Sequence, residues 1–209
     1  MAASKPQIRS LFATPVAVHF LPVAQDVNAT LRPLIAERAG AGARGQGWRS
    51  DPDLLSWAGD PAQTLFRVVR DLADSLTATR TGARVNLDWS VSAVACLRQK
   101  GDYREAAARP GAVWSGVYYV DDGYAKSDEE ALGGECELSD PRGVLPAMMA
   151  PHYGFRIPGG LTAGQCEVVR PQSGMILLHP SWLARGERRY DGEHQRVTIE
   201  FDLTAPAAG

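Results

Sequence analysis

The amino-acid sequence predicts an α+β chain, mainly β, whose strands close into a sandwich or jelly roll. Apolar residues recur at helical spacing only within residues 1–83. From Arg84 onward, short runs of β-branched and aromatic residues alternate with turn residues. Helices followed by about six or more strands are typical of a chain in which helices support a closed β core.

Length and composition indicate one domain. A chain of 209 residues, 44% hydrophobic and 22% charged, can bury one sizeable core. We expect residues 1–83 to form an N-terminal strand and helices that pack on the β core. Residues 84–203 should form the jelly-roll core itself, and residues 204–209 a tail.

The N-terminal part predicts an extended segment and a first helix. Residues 8–21 carry β-branched and aromatic residues close to prolines, which favours an edge strand or an extended lead-in. Residues 26–39 have apolar positions near helical spacing, with Asp26 as a candidate cap and Gly40 after the end. The glycine-rich residues 40–47 predict a flexible connection, because they lack the lysine of a P-loop.

A second helix is predicted over residues 61–79. Pro61 suits a first turn, and apolar residues form one stripe along the segment. These are Leu65, Phe66, Val69, Leu72, Ala73 and Leu76.

Six segments in the second half of the chain predict strands. They are residues 85–97, 113–120, 135–139, 165–169, 175–178 and 195–203. Two long polar or glycine- and proline-rich insertions lie between them, at residues 121–134 and 147–164. Loops of this length are either binding lids or disordered tips, and both interpretations stay open here.

The charge and the cysteine content limit the classes of function that we expect for this protein. A net charge of −2 gives no general reason to expect nucleic acid as a partner. Three cysteines without C-x-x-C spacing favour neither a disulfide framework nor a zinc site. No segment resembles a signal peptide or reaches the roughly 20 apolar residues of a membrane helix. We therefore expect a cytoplasmic protein with no membrane partner.

Four sequence elements occur in order along the chain: GDYREAAARPGAVWSGVYYV at residues 101–120, DPR at 140–142, PSWLAR at 180–185 and QRVTIEF at 195–201. Together they resemble elements of the bacterial 2-oxoglutarate/Fe(II) oxygenases. The resemblance implies a double-stranded β-helix, the cupin-like form of the jelly roll, which opens at one end onto the active site. It also implies Fe(II) and 2-oxoglutarate as the cofactors of the family.

The iron ligands of the family are replaced in this chain. In the relatives, the first element reads approximately GDYxxPHxHPxxxxSGVYYV, and PSWL is followed by a further histidine. The three histidines fall on Ala107, Arg109 and Arg185. Alanine has no donor atom, and a protonated guanidinium has no lone pair and repels Fe(II). The sequence therefore predicts the scaffold without the iron site, so Fe(II) is not expected as a cofactor.

A rebuilt metal site is the alternative. His179 or His194, or both, would supply the imidazoles, and the candidate carboxylates are Asp102, Glu105 and Asp191. Histidines at such positions are more often structural residues than ligands.

The residue types that bind the cosubstrate in the family are present in this sequence. The resemblance assigns Arg196 and Thr198 to the far carboxylate of 2-oxoglutarate. Because side chains alternate along a strand, both lie on one face, and Val197, Ile199 and Phe201 pack on the other. A small carboxylate, 2-oxoglutarate included, is thus a candidate ligand.

Several arginines are predicted to meet at one cavity. In a double-stranded β-helix we expect Arg109, Arg185 and Arg196 to converge at this cavity. Arg188 and Arg189 should lie just outside it. Paired guanidinium groups bind carboxylate or phosphate. The alternative is that they form internal ion pairs, for which the candidate partners are Glu105, Glu187, Glu193 and Asp191.

These residues also suggest catalysis without a metal. We assign the catalytic roles to Arg109, Arg185, His179 and Tyr118, with Tyr119 as the alternative tyrosine. Such a set could stabilise an enolate or carboxylate and move a proton, as an isomerase, cyclase or lyase does, in a biosynthetic pathway for instance.

The sequence therefore favours a metal-independent enzyme or small-anion binder built on the oxygenase scaffold. Two alternatives remain. One is a noncatalytic pseudo-oxygenase that acts through a protein partner or as a homodimer. The other is an active 2-oxoglutarate-dependent dioxygenase or hydroxylase with unusual ligands.

Overall fold

In a computed structural model of the protein, two antiparallel sheets face each other, and helices cover the outer side of the larger sheet. The structure describes residues 12–40, 47–144, 148–149, 152–153, 155–157, 160–162 and 166–206. The larger sheet has six strands and the smaller sheet has four, and a separate hairpin has two. This is the jelly-roll arrangement predicted from the sequence. In the described part of the chain, no helix combines the length and apolar character that a membrane crossing requires.

The strands that form these sheets are mostly short. They are β1 (Ala17–Phe20), β2 (Trp48–Arg49), β3 (Ser90–Arg98), β4 (Arg104–Ala107), β5 (Trp114–Asp121), β6 (Cys136–Ser139), β7 (Phe155–Ile157), β8 (Gly160–Thr162), β9 (Cys166–Val169), β10 (Met175–Pro180), β11 (Arg185–Glu187) and β12 (Arg196–Thr204). The strand order is β1-β10-β5-β12-β3-β2 in the larger sheet and β4-β11-β6-β9 in the smaller sheet, and β7 and β8 form the hairpin. Each of the six segments predicted in the second half contains a strand. The edge position of β1 also agrees with the prediction, although residues 8–11 lie outside the described residues.

Three helices lie on the N-terminal side: α1 (Ala24–Ala39), α2 (Leu54–Trp57) and α3 (Gly59–Leu76). Helix α1 begins two residues before the predicted start, so Asp26 lies in its first turn and is not the cap. Helix α3 ends before residue 79, because Thr77 is extended and Ala78 pairs with Arg84. The connection predicted at residues 40–47 falls mostly outside the described residues.

The main core lies between the helices and the outer face of the larger sheet. Phe66 of α3 meets Phe201 of β12 edge to face, with ring centroids 5.6 Å apart. Val197 and Ile199 are buried in the same cluster, as the period-two pattern predicts. Their neighbours Arg196, Thr198 and the following even-numbered residues therefore face the space between the two sheets.

Several short strands have no clear sequence signal. Strand β4 reads REAA and β11 reads RGE, without the alternation of apolar residues that identifies a strand. They pair with each other, with Ala107 opposite Arg185. The β7–β8 hairpin lies inside the insertion at residues 147–164, which was predicted as a lid or a disordered tip. Tertiary pairing, and not local propensity, places these strands.

Candidate functional site

A cavity of about 60 Å³ opens between the two sheets. Its charged lining consists of four arginines and two acidic residues: Arg49, Arg104, Arg109, Arg185, Glu200 and Asp202. Strands from both sheets contribute, because β4 and β11 belong to the smaller sheet and β12 to the larger one. Arg109 and Arg185 meet at this cavity as predicted.

Glu200 is the centre of the charged lining. Its carboxylate is buried and lies within ion-pair distance of five arginines. Arg104 is in direct contact with Oε1, to which the guanidinium groups of Arg98 and Arg185 approach within 3.4 Å. Burial by itself would raise the pKa of the Glu200 carboxyl, but the arginines, led by Arg185 and Arg104, lower this pKa to about 2.

Arg185 is held between two carboxylates. Its Nη1 donates to Oε1 of Glu187 at 2.8 Å, while its Nη2 faces Glu200. All three side chains are almost completely buried. The predicted pairing of Arg185 with Glu187 is therefore present. A guanidinium in this position is fixed, because each end of it is neutralised.

Two outer arginines are only loosely paired. Nη2 of Arg109 lies 3.5 Å from Oε2 of Glu200, and Nη2 of Arg49 lies 3.9 Å from the same oxygen. Among the described residues, this oxygen has no hydrogen-bond partner. The side chains of Arg109 and Arg49 are 32% and 52% exposed. Their guanidinium groups can therefore reach a ligand at the cavity mouth.

His179 forms part of the cavity wall and is itself buried. Its Nδ1 lies 2.9 Å from the carbonyl oxygen of Pro180. Within the described structure, its Nε2 has no hydrogen-bond partner. Burial lowers the pKa of His179 to about 4, although the Pro180 carbonyl opposes this shift. The imidazole is thus neutral at pH 7.

Ser115 and Asp202 continue the same wall. His179 of β10 is the cross-strand partner of Ser115 in β5, and Ser115 is the partner of Asp202 in β12. The Ser115 hydroxyl donates to Oδ1 of Asp202 at 2.6 Å. The three polar side chains therefore stand in a row across three neighbouring strands.

Arg196 does not line this cavity, so its predicted convergence with Arg109 and Arg185 is wrong. Its Nε donates to the carbonyl oxygen of Asp122, and its Nη1 to that of Gly134. Its guanidinium carbon also lies 5.0 Å and 4.5 Å from the rings of Tyr124 and Tyr190. The ends of the insertion at residues 121–134 therefore accept hydrogen bonds from two of the three guanidinium nitrogens of Arg196.

Thr198 lies beside Arg196 on the inner face, as predicted, but it also does not line the cavity. Its hydroxyl and that of its cross-strand partner Tyr119 have no hydrogen-bond partner in the described part of the chain. Nη2 of Arg196 is likewise unpartnered there. These three groups remain the candidate contacts for a carboxylate of 2-oxoglutarate type.

Tyr118 was predicted in the pocket, and this placement is wrong. It belongs to the core on the outer face of the larger sheet, where its hydroxyl donates to Oδ1 of Asn28 in α1. Burial raises the pKa of the Tyr118 hydroxyl well above its usual range, so an acid–base role is also unfavourable. Tyr119, one position along the strand, takes the inner face.

The positions assigned to iron ligands do come together. Ala107 pairs with Arg185 across β4 and β11, and Arg109 lies beside them at the cavity. Neither alanine nor arginine offers a lone pair to Fe(II), so these residues do not fit an iron ion. Over the described ranges, no three His, Cys, Asp or Glu side chains gather as a metal site.

The alternative metal ligands and outer arginines lie elsewhere. His194 is exposed and does not line the cavity that contains His179. The rebuilt metal site therefore has no support in the geometry. Arg188 pairs with Glu137, and Arg189 with Asp191, both at the surface.

Comparison with known sequences identifies the family. The family described as "Putative 2OG-Fe(II) oxygenase" matches residues 93–202. The chain belongs to this family, whose members normally use Fe(II) and 2-oxoglutarate. No curated protein matches the sequence.

Solved structures with the same fold cover nearly the whole chain. A prolyl-4-hydroxylase from Pseudomonas putida is 13% identical, with a TM-score of 0.61 over 94% of this chain and 96% of that chain. AviO1 from Streptomyces viridochromogenes Tue57 is 17% identical, with a TM-score of 0.60 over 94% and 92%. HygX from Streptomyces hygroscopicus, with nickel and 2-oxoglutarate bound, is 16% identical, with a TM-score of 0.59 over 92% and 83%. This similarity confirms the double-stranded β-helix.

Sequence reasoning missed Glu200 and three of its partners, Arg49, Arg98 and Arg104. A signal for Glu200 was present, because the alternation that places Arg196 and Thr198 inside also places residue 200 inside. The arginine partners had no such signal. They come from β2, β3 and β4, whose approach to β12 is a tertiary feature.

We predict that Glu200→Gln destabilises the protein by about 3–5 kcal/mol, because it leaves the buried guanidinium groups without their shared counter-charge. Chemical denaturation at pH 7 measures the change. The matched control is Glu193→Gln, since Glu193 forms an exposed pair with Lys100 and should change stability by about 0.5 kcal/mol or less. Equal, small effects of both variants would contradict the central role of Glu200.

We predict that His179 makes stability depend on pH between about 6.5 and 4. The folded-state pKa of about 4 lies below the 6.5 of an unperturbed histidine. As pH falls through this window, the unfolded chain binds the proton first, and roughly 3 kcal/mol of stability is lost. His179→Gln should remove this component from the denaturation profile, whereas the exposed His194→Gln should keep it. A His179→Gln profile parallel to that of the wild type would refute the assignment.

Proposed function

We propose that this chain is a metal-independent member of the family that binds a small carboxylate or phosphate in the arginine-lined cavity. One observation carries the proposal. Four arginines face two acidic residues in the lining, and His179 is neutral, so two positive charges are in excess. Including the adjacent Arg98 and Glu187, which carry opposite charges, leaves the excess unchanged.

The excess charge lies where a ligand can reach it. Arg185, Arg104 and Arg98 share Glu200 and Glu187 in the buried part of the network. Arg109 and Arg49 stand at the mouth, at the outer limit of ion-pair distance from Glu200. Guanidinium groups bind carboxylate and phosphate through paired hydrogen bonds, and such contacts are stronger in a partly dehydrated pocket.

The same geometry supports chemistry without iron. Arg109 can stabilise negative charge that develops on a bound carboxylate or enolate. The neutral His179, which lines the cavity, has an unpartnered lone pair on its buried Nε2 and can take a proton from a bound group that reaches it. We propose these two residues for the catalytic roles, in a reaction of the isomerase, cyclase or lyase type. Tyr118 is excluded from them by its place in the core.

A noncatalytic pseudo-oxygenase is the second candidate. The observation that favours it is the closed pairing of Arg185 with Glu187 and Glu200, which is almost completely buried and needs no ligand. A scaffold of this kind would act through a protein partner or as a homodimer. It differs from the first candidate in one measurable property, the binding of small anions.

We predict that isothermal titration calorimetry detects binding of at least one of 2-oxoglutarate, succinate and inorganic phosphate. Arg109→Ala should weaken that binding by about 1.5–3 kcal/mol, roughly tenfold or more, because a charge-assisted contact is lost. Arg188→Ala is the matched control, since this arginine pairs with Glu137 outside the cavity. Failure of the folded wild type to bind any of the anions would favour the noncatalytic scaffold.

We also predict that the purified protein contains much less than one iron per chain. The reason is the donor chemistry of Ala107, Arg109 and Arg185, to which Fe(II) cannot bond. Elemental analysis measures the content, and added Fe(II) should leave the melting temperature nearly unchanged, because a metal that binds the native state would raise it. Near-stoichiometric iron with turnover of 2-oxoglutarate to succinate would instead establish an active oxygenase with other ligands.

A further inference from the structure

We propose that the ligand of this cavity is a small hydroxylated anion, whose hydroxyl group donates a hydrogen bond to Nε2 of His179. This inference rests on the proposed anion-binding function and specifies the class of ligand. It follows from one part of the lining, which His179, Ser115 and Asp202 form on three neighbouring strands of the larger sheet.

The tautomer of His179 is determined by its surroundings. The carbonyl oxygen of Pro180 can only accept a hydrogen bond, so Nδ1, at 2.9 Å from it, carries the proton. Since the imidazole is neutral, Nε2 then has a lone pair and no hydrogen. His179 is 1% exposed, and this nitrogen has no donor among the described residues. A buried acceptor without a donor is costly, and a ligand that supplies the donor recovers that cost.

The neighbouring groups on this wall are also acceptors. The Ser115 hydroxyl uses its hydrogen in the bond to Asp202, so its lone pairs remain. The carboxylate of Asp202 can only accept. A ligand group that contacts the wall must therefore be a donor, whereas the group that contacts Arg109 and Arg49 must be an anion.

Charge and size decide which donor fits. An ammonium group would enter a cavity that already has two excess positive charges, whereas a hydroxyl group is neutral. The cavity volume, about 60 Å³, is small, so the ligand groups that contact Arg109 and His179 must lie close together. Both properties favour a compact molecule in which a hydroxyl lies close to the carboxylate or phosphate.

Two matched ligand pairs test the inference by calorimetry on the full-length protein. Malate has one hydroxyl group that succinate lacks, and glycerol 3-phosphate has two that propyl phosphate lacks. The hydroxylated member of at least one pair should bind about tenfold more tightly, because the analogue leaves Nε2 of His179 unpaired. Tighter binding of malate than of succinate indicates a carboxylate ligand, whereas tighter binding of glycerol 3-phosphate than of propyl phosphate indicates a phosphate ligand.

Variants of His179 connect the preference to this residue. His179→Phe removes the acceptor, so the hydroxylated ligand of each pair should bind this variant about as tightly as the ligand without the hydroxyl group. His179→Gln retains an acceptor at a similar distance from the backbone and should keep most of the preference. The thermal melt of each variant shows whether it is folded. If His179→Phe does not fold, the ligand preference of His179→Gln is compared with that of the wild type to test the hydroxyl contact.

Each possible outcome has a distinct meaning. Equal binding within both pairs, or a preference that survives in folded His179→Phe, overturns the hydroxyl contact but leaves anion binding intact. Loss of the preference in His179→Gln as well would also overturn it, because the acceptor would not be the recognised feature. If none of the four compounds binds the wild type, the proposed anion-binding function itself fails.

Discussion

The buried carboxylate of Glu200 is the interaction on which this site depends. A charge in the interior is costly unless it is paired, and Glu200 is paired from several directions at once. Arg98 approaches from β3, Arg104 from β4 and Arg185 from β11. Because β4 and β11 belong to the smaller sheet, this one carboxylate links the two sheets across the cavity. It also holds the arginines in place, so that the cavity keeps its shape and its charge.

The charge of the lining is the opposite of what a cation site requires. The resemblance assigns Ala107, Arg109 and Arg185 to the positions of the iron ligands, and all three residues line the cavity. Glu187 and Glu200 neutralise Arg185, so the positive charge that remains belongs to Arg109 and Arg49. Guanidinium groups attract anions and repel cations such as Fe(II). His179, with its unpaired nitrogen, adds polarity to the lining without adding charge.

Arg196 shows that a retained residue can have a changed environment. Carbonyl oxygens at both ends of the 121–134 insertion accept its hydrogen bonds, and Tyr124 and Tyr190 pack against its guanidinium. Gly134 allows this contact, since a Cβ there would lie 2.6 Å from the guanidinium nitrogens. Arg196 therefore supports the insertion, with one nitrogen left unpaired beside Thr198 and Tyr119.

The fold class, the apolar stripe of α3 and the two faces of β12 can be predicted from the amino-acid sequence, because each depends on a local periodicity. The sequence also determined that Ala107, Arg109 and Arg185 have no donor for iron, which is a property of the residue types. The inward orientation of Tyr119 rather than Tyr118 follows from the tertiary structure. Side-chain alternation along β5 places the two tyrosines on opposite faces of the sheet, but it does not tell which face the helices cover. The tertiary structure alone brought Glu200 to its arginines and covered Arg196, because these contacts join strands and loops that are distant along the chain. Such contacts depend on how the two sheets pair and face each other, and no local pattern encodes that arrangement.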